Sequence, residues 1–369
     1  MFFFRADGNK KIGAGHMMRC LTIAEALREM LKGNDGEPSC EENAIMFVCA
    51  DEDSARLAED YGFVAKVLNS DYRSMEAELS LWQEIMGPMR HTYRHTILVD
   101  SYYVTAKYLQ ELRSYGKVVL LDDMQQEAYP VDVVINYNAF ASIECYESLY
   151  RESETKICVG SSYVPVRKQF LNRDYAVKKN VERVLITTGG GDVDNIAGAI
   201  LNMLMESETG QETAQEIKKN TEKECKKINY DLIIGKYNPH RSSFLRLAEE
   251  YSNIQLHTDV KDMAGLMEQC DLAITAGGTT IYELASIGVP FICFSYAENQ
   301  ELLTEYIGRE GIAGYAGAYH KDAKAMLGEM KHIFKELRND TAKRNACYLK
   351  EKQLIDGLGA GRIVKDALL

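Results

Sequence analysis

No apolar run in this chain of 369 residues reaches the length needed to span a bilayer, and its first residues read directly as a strand where a secretory leader would carry a charged region and an apolar core. These absences predict a cytoplasmic protein with no stable membrane insertion. Nine cysteines are scattered from Cys20 to Cys347 without a C-x-x-C pair, which argues against disulfides and structural zinc and for reduced, mostly buried thiols. Cys49, Cys158 and Cys293 fall in apolar strand-like runs and read as core. An excess of positive charge is also missing. With 43 Lys and Arg against 55 Asp and Glu, the net charge of -12 argues against a nucleic-acid partner or an anionic membrane surface. A phosphate pocket built from backbone N–H groups is compatible with that balance.

Several familiar chemistries are incomplete as well. Gly13-x-Gly15 is followed by Met18 where a dinucleotide fingerprint needs its third glycine, and Asp51 lies much further on than the roughly 20 residues that fingerprint expects. A nicotinamide or flavin cofactor is therefore not expected. His91 and His95 are one helical turn apart, yet no cysteine or carboxylate with ligand spacing accompanies them. Asp51-Glu52-Asp53 matches D-x-D literally, but acidic residues suit a first helical turn, and the segment reads as a helix start. No metal site is expected. Serine and cysteine nucleophiles lack an elbow or triad setting.

What is present is a repeated alternation of short β-rich runs with helical stretches. In the first half the runs are Met1 to Arg5, Ala44 to Cys49, Thr96 to Val99, Val118 to Leu121, Val131 to Ile135 and Ile157 to Val159. They are nearly continuous in Ile, Val and Leu, as expected for parallel strands covered on both faces. The pattern restarts with Arg183 to Thr188, Leu232 to Ile234, Ile254 to Leu256, Leu272 to Thr275 and Phe291 to Phe294. We read an α/β protein of two doubly wound, Rossmann-like domains, 1-175 and 181-369, joined by the polar stretch Arg173 to Asn180. Ligands of such sheets bind outside the carboxyl ends of the strands, so two facing domains are expected to form one cleft. Gly33 to Asn43 reads as a turn-rich loop, and the charged stretch Ser207 to Asn229 as a solvated insertion without a function.

His16 follows the Gly13-Ala14-Gly15 turn at the mouth of a helix whose apolar residues recur at Met18, Leu21, Ala24, Leu27 and Leu31. The positive end of a helix dipole favours a neutral imidazole, and a neutral histidine facing a cleft is a candidate general base. Most histidines at helix starts only cap or hydrogen-bond. In the second half, Ile274 to Glu283 reads as a strand, a glycine turn and a helix with Thr279 as N-cap. Free N–H groups there suit a diphosphate. Gly277, Gly278, Thr279 and Thr280 are the candidate nucleotide site, with Glu283 as acceptor for a ribose diol; a capping role is the alternative for that glutamate. Gly189, Gly190 and Gly191 form a second anion-ready turn, and Gly235 ends another strand. Glu298-Asn299-Gln300 opens a further helix, where the amides either bind sugar hydroxyls or cap.

Taken together, Phe4-Arg5-x-Asp7, Ile12-Gly13-x-Gly15-His16-x-x-Arg19, Val99-Asp100-x-Tyr102, Leu121-Asp122-Asp123, Asp132-Val133-Val134-Ile135-Asn136-x-Asn138-Ala139, Gly160-x-Ser162-Tyr163, Gly189-Gly190-x-Asp192 and Asn299-Gln300 resemble the PseG/SpsG family of UDP-2,4-diacetamido-2,4,6-trideoxy-β-L-altropyranose hydrolases and spore-coat polysaccharide proteins. The matches run in order from Phe4 to Gln300. The resemblance implies a GT-B fold related to MurG, a UDP-sugar as substrate with UDP on the C-terminal domain, and inverting, metal-independent hydrolysis. It implies His16 as the base that activates water, Tyr102 and Asn299 as residues that orient sugar and water, and Asp100 as a supporting carboxylate. Arg5, Asp7, Gly13, Gly15, Asn138 and Gln300 are the matching residues expected on the sugar. The chain also carries extra residues around Gly33 to Asn43, around Ser207 to Asn229 and after Gly317. Two other readings stand beside the hydrolase: a GT-B glycosyltransferase passing an aminosugar to an acceptor, and a UDP-sugar-binding protein without catalysis.

Overall fold

The computed structural model describes residues 1-9, 11-32, 44-87, 95-189, 191-209, 227-235 and 238-369, with the side chains of 207-209 excepted. The Gly33 to Asn43 loop, His91 and most of the Ser207 to Asn229 insertion lie outside these residues. The chain divides into two compact units, Met1–Lys168 with Asp356–Leu369, and Gln169–Ile355. The expected ranges 1-175 and 181-369 differ from this division, because the end of the chain returns to the first unit.

In the first unit the strands are β1 (Phe2–Ala6), β2 (Ile45–Cys49), β3 (Val64–Val67), β4 (His95–Asp100), β5 (Gly116–Leu121), β6 (Val133–Asn136) and β7 (Lys156–Val159). They pair in parallel in the order β3-β2-β1-β4-β5-β6-β7. The sheet is wound outward from its middle: β2 and β3 follow β1 to one side, and the chain then crosses back to place β4 on the other. The carboxyl ends of β1 and β4 therefore flank the switch point, where doubly wound sheets leave a crevice. Every residue of β4 is buried, consistent with helices on both faces. Phe3, Val48, Ile97, Val99, Val118 and Trp82 belong to the core on one face.

The second unit repeats the plan with β8 (Arg183–Thr187), β9 (Asn229–Ile233), β10 (Ile254–His257), β11 (Leu272–Ala276), β12 (Phe291–Ser295) and β13 (Gly314–Ala318), all parallel in the order β10-β9-β8-β11-β12-β13. Its switch point lies between β8 and β11, whose carboxyl ends carry the Gly189 and Gly277 turns. Val184, Ile186, Leu232, Ile274, Ile292 and Phe294 are core residues of this sheet, and the helix Ala323–Asn339 adds Met326, Met330 and Phe334.

Asp356–Leu369 joins the first unit by burial. Ile363, Val364, Ala367 and Leu368 are all buried, Lys156 Nζ donates to the Asp366 carbonyl at 2.6 Å, and a Cβ added at Gly359 would stand 2.2 Å from the Val164 carbonyl oxygen. Among the described residues, no helix is long and apolar enough to cross a membrane.

Candidate active site

The turn that leaves β1 is held by Asn9. Its carbonyl accepts from Gly13 N at 2.8 Å, its Oδ1 accepts from Lys11 N and Ile12 N, and its Nδ2 donates to Asp51. Gly13 has φ +77°, a backbone region that favours glycine. The helix Gly15–Leu31 starts immediately after, with Ala14 as N-cap and no side-chain cap. His16 thus stands in the first helical turn at the sheet's switch point, 8% exposed.

Its partner comes from the neighbouring strand. His16 Nδ1 lies 2.6 Å from Asp100 Oδ1 at the end of β4. Arg19, one turn along the same helix, donates Nε to Asp100 Oδ2 at 2.5 Å and Nη2 to Asp100 Oδ1. Burial alone would raise the Asp100 carboxyl, but Arg19 and then His16 overcome it and hold the group well below the usual carboxylate range. Burial likewise opposes the Arg19 charge, and Asp100 and Asp123 outweigh it. An ionised carboxylate only accepts hydrogen bonds, so the short contact to Asp100 puts the ring proton on Nδ1. Arg19 Nη2 is also 2.9 Å from Nδ1, but with the ring proton on Nδ1 both atoms are donors, and Nη2 donates to Asp100 Oδ1. Nε2 keeps the lone pair that a base needs. Cys20 Sγ donates to Asp100 Oδ2 at 3.5 Å, and burial together with the Asp100 charge raises its thiol well above the ordinary range.

The network continues across the next strand ends. Arg19 Nη1 donates to Asp123 Oδ2 at 2.7 Å and to the Tyr137 hydroxyl at 2.6 Å. Tyr102 packs edge-on against the His16 ring, with centroids 4.6 Å apart, and donates its hydroxyl to Asp123 Oδ2 at 3.4 Å. Asn138 Nδ2 donates to Asp123 Oδ1 at 3.1 Å and to Asn136 Oδ1 at 3.0 Å. His16, Asp100, Tyr102 and Asn138 are therefore brought together, with Gly13 and Gly15 exposed on the turn beside His16. Sequence reasoning quoted Arg19 and Asp123 within motifs but gave them no role. Their signal was position: Arg19 sits one helical turn beyond His16, and Asp123 one residue beyond Asp122 at the end of β5.

Arg5 and Asp7, expected on the sugar, do not join this group. Arg5 is fully buried, with Nε and Nη2 on Glu78 at 2.8 and 2.6 Å and Nη1 on Asp7 at 2.5 Å. Asp7 Oδ1 accepts from Ala50 N at 2.7 Å. Glu78 also receives the Tyr108 hydroxyl, which in turn accepts from Trp82 Nε1. These two residues are engaged by protein partners that brace the ends of β1 and β2.

In the second unit the helix Thr279–Ile287 begins at Gly278, which is its N-cap; Thr279 is the first helical residue and not the cap. No side chain caps this terminus, and Gly278 and Thr279 are exposed, while Thr280 is half-buried. Gly277 is buried where a Cβ would come within 2.8 Å of Gln300 Cβ and 2.9 Å of Thr304 Cγ2, so the turn depends on close packing against the helix Glu298–Arg309. Gln300 Oε1 accepts from Tyr296 N at 3.0 Å, and Asn299 is exposed. Glu283 is 9% exposed, one turn into its helix. At the Gly189 turn, Asp192 accepts from Ile196 N at 2.7 Å and Ala197 N at 3.1 Å. That carboxylate occupies two donors of the helix Ile196–Thr209, so this helix start is less open to an anion than the glycines suggested. Gly190 lies outside the described residues, and the Gly235 carbonyl accepts from Asn238 N. Asp51 caps the helix Glu52–Asp60 through Ser54 N at 2.8 Å, as read from the sequence.

Residues 204–354 match the glycosyltransferase family 28 C-terminal domain. The chain is 25% identical over 313 residues to the spore coat polysaccharide biosynthesis protein SpsG of Bacillus subtilis, covering 84% of this chain and 81% of that protein. It is 21% identical over 310 residues to the UDP-2,4-diacetamido-2,4,6-trideoxy-β-L-altropyranose hydrolase of Campylobacter jejuni, covering 84% and 96%. Among solved structures, MurG of Acinetobacter baumannii superposes with a TM-score of 0.62 at 14% identity, over 100% of this chain and 99% of that one. The fold is thus GT-B, with two Rossmann-like domains, and the chain is similar to SpsG and to the diacetamido-trideoxy-altropyranose hydrolase.

Proposed function

We propose that this protein hydrolyses a UDP-linked diacetamido-trideoxy sugar to UDP and the free sugar, in the cytoplasm, as a step of pseudaminic-acid-type or spore-coat polysaccharide sugar synthesis. The observation that carries the reading is the His16–Asp100 pair at the switch point of the first sheet. Asp100 fixes the Nδ1–H tautomer, and Nε2 takes a proton from water. The water oxygen bonds to the anomeric carbon as the bond from that carbon to the diphosphate oxygen breaks, so the electron pair leaves on UDP and the anomeric configuration inverts. Exposed N–H groups at the Gly278 helix start hold the diphosphate and stabilise its growing charge without a metal ion, and Glu283 takes the ribose. Tyr102 and Asn299 orient sugar and water; Asn138, Gln300, Gly13 and Gly15 line the sugar. The name of the Campylobacter relative supports this substrate class.

The match of 204–354 to a glycosyltransferase domain favours a second reading, transfer of the sugar to an acceptor. One experiment separates them. The pure protein, in excess EDTA and without acceptor, is incubated with UDP-linked diacetamido-trideoxyhexoses and with UDP-GlcNAc, and UDP and the free sugar anomer are followed by NMR. Acceptor-independent release of UDP with the inverted anomer is expected; release only on adding an acceptor would establish the transferase.

A further inference from the structure

Arg19 has no role in the reaction as drawn, yet it is the residue with the most partners in the site. It engages both oxygens of Asp100, reaches Asp123 and Tyr137, and lies within 2.9 Å of His16 Nδ1. The side chains form a closed circuit: His16 to Asp100, Asp100 to Arg19, Arg19 to Asp123, Asp123 to Tyr102, and Tyr102 back onto the His16 ring. Asp100 is fully buried at its side chain and cannot be neutralised by solvent. A buried carboxylate needs a positive partner. Two groups offer one: Arg19, and His16 if protonated. A protonated His16 would be useless as a base.

We propose that Arg19 is a positioning residue that supplies the positive charge Asp100 requires, so that His16 stays neutral with its Nε2 lone pair available. This rests on the reading of His16 as the general base. Among the described residues, the charged and titratable groups that contact His16 or its partners are Arg19 and Cys20 from its own helix, Asp100 and Tyr102 from the end of β4, Asp123 from the end of β5 and Tyr137 from the end of β6. Asp100 and Asp123 both favour a proton on the ring, and Arg19 is the cation that opposes it. Cys20 and Tyr137 are held in their neutral forms, with burial as the main cause. Removing Arg19 leaves two carboxylates for which, among the described residues of this network, the imidazole is the remaining group able to carry a positive charge. Lysine keeps the charge and loses the fork that grips both Asp100 oxygens.

The test reads protonation directly by ¹⁵N NMR of histidine-labelled protein without substrate, with the His16 signals identified by their loss in His16→Asn. In the unaltered protein at pH 7.5, a neutral ring protonated on Nδ1 is expected. In Arg19→Met the imidazolium should persist to a pH higher by on the order of one unit or more, and Arg19→Lys should recover most of that shift. An unshifted titration in folded Arg19→Met overturns the proposal. Should Arg19→Met fail to fold, the unaltered protein decides alone, because an imidazolium at pH 7.5 or a proton on Nε2 overturns it too. Absence of UDP release by the unaltered protein would overturn the hydrolase reading and leave the titration result standing.

Discussion

At the scale of the residue, chemistry here depends on which polar groups the protein has already saturated. Arg5 and His16 are both buried and polar, but all three Arg5 nitrogens engage Glu78 or Asp7, whereas His16 has one ring nitrogen committed to Asp100. Replacing His16 by Asn should therefore lower turnover by on the order of 10²-fold or more while UDP affinity, measured by calorimetry, stays within a few-fold. Wild-type turnover in that variant would remove His16 from the mechanism. A second residue makes the opposite case. Glu351 is fully buried in the helix Thr341–Leu354, and neither of its carboxyl oxygens has a hydrogen-bond partner. Burial holds its carboxyl well above the usual range. With the folded-state value raised, its contribution to stability is intact below the ordinary glutamate value of about 4.3 and is lost as pH rises through the raised one. Glu351→Met should accordingly be more stable than the unaltered chain at pH 8, by about 1 kcal/mol or more, with the gain shrinking towards pH 4. Urea melts across that range check it, and a pH-independent difference would contradict it.

The element scale concerns how a strand hands over to a helix. The turns after β1 and β11 leave the following helix start without a side-chain cap, while those before the helices Glu52–Asp60 and Ile196–Thr209 close it with Asp51 and Asp192. An uncapped, exposed terminus is available to a ligand and a capped one is not. Gly277 keeps the β11 turn tight against Gln300 and Thr304. Gly277→Ala should cost about 1–3 kcal/mol by overpacking and should weaken UDP binding by shifting that turn. Unchanged melting temperature and unchanged calorimetric affinity together would show that the helix Glu298–Arg309 yields freely. Central strands were legible because both their faces are buried and their sequences are correspondingly apolar. The strands β3 and β13 were not, although the other two edges, β7 and β10, were: β3 alternates exposed and half-buried residues, and β13 reads Gly-Tyr-Ala-Gly-Ala, with two glycines and little β-branched character. Both become strands because a neighbour offers an unpaired row of hydrogen-bonding groups.

For the whole molecule, the division into units is set by burial and not by chain order. Asp356–Leu369 follows the second unit in sequence and packs on the first, where Ile363, Val364 and Leu368 enter the core. At about 1.5–3 kcal/mol for each fully buried aliphatic side chain, deleting that segment should cost on the order of 5 kcal/mol. Protease protection of the first unit should fall accordingly, with hydrogen exchange in β4 and β7 accelerating while β11 and β12 stay protected. Equal protection in the two proteins would show that the segment is an ornament.

Local pattern alone determined the two doubly wound halves, the glycine turns at their strand ends and the histidine at a helix mouth, because strand hydrophobicity, turn chemistry and helix periodicity act over a few residues. The grouping of motifs into one site was beyond it. His16, Asp100, Asp123 and Asn138 are far apart in the chain, and only the order β1-β4-β5-β6 sets their strand ends side by side. Tertiary structure likewise separated Arg5 and Asp7 from the site and gave Arg19 its place within it. Whether a polar side chain braces the fold or meets a ligand depends on which of its hydrogen-bonding groups the surrounding protein has already taken, and those partners come from other strands.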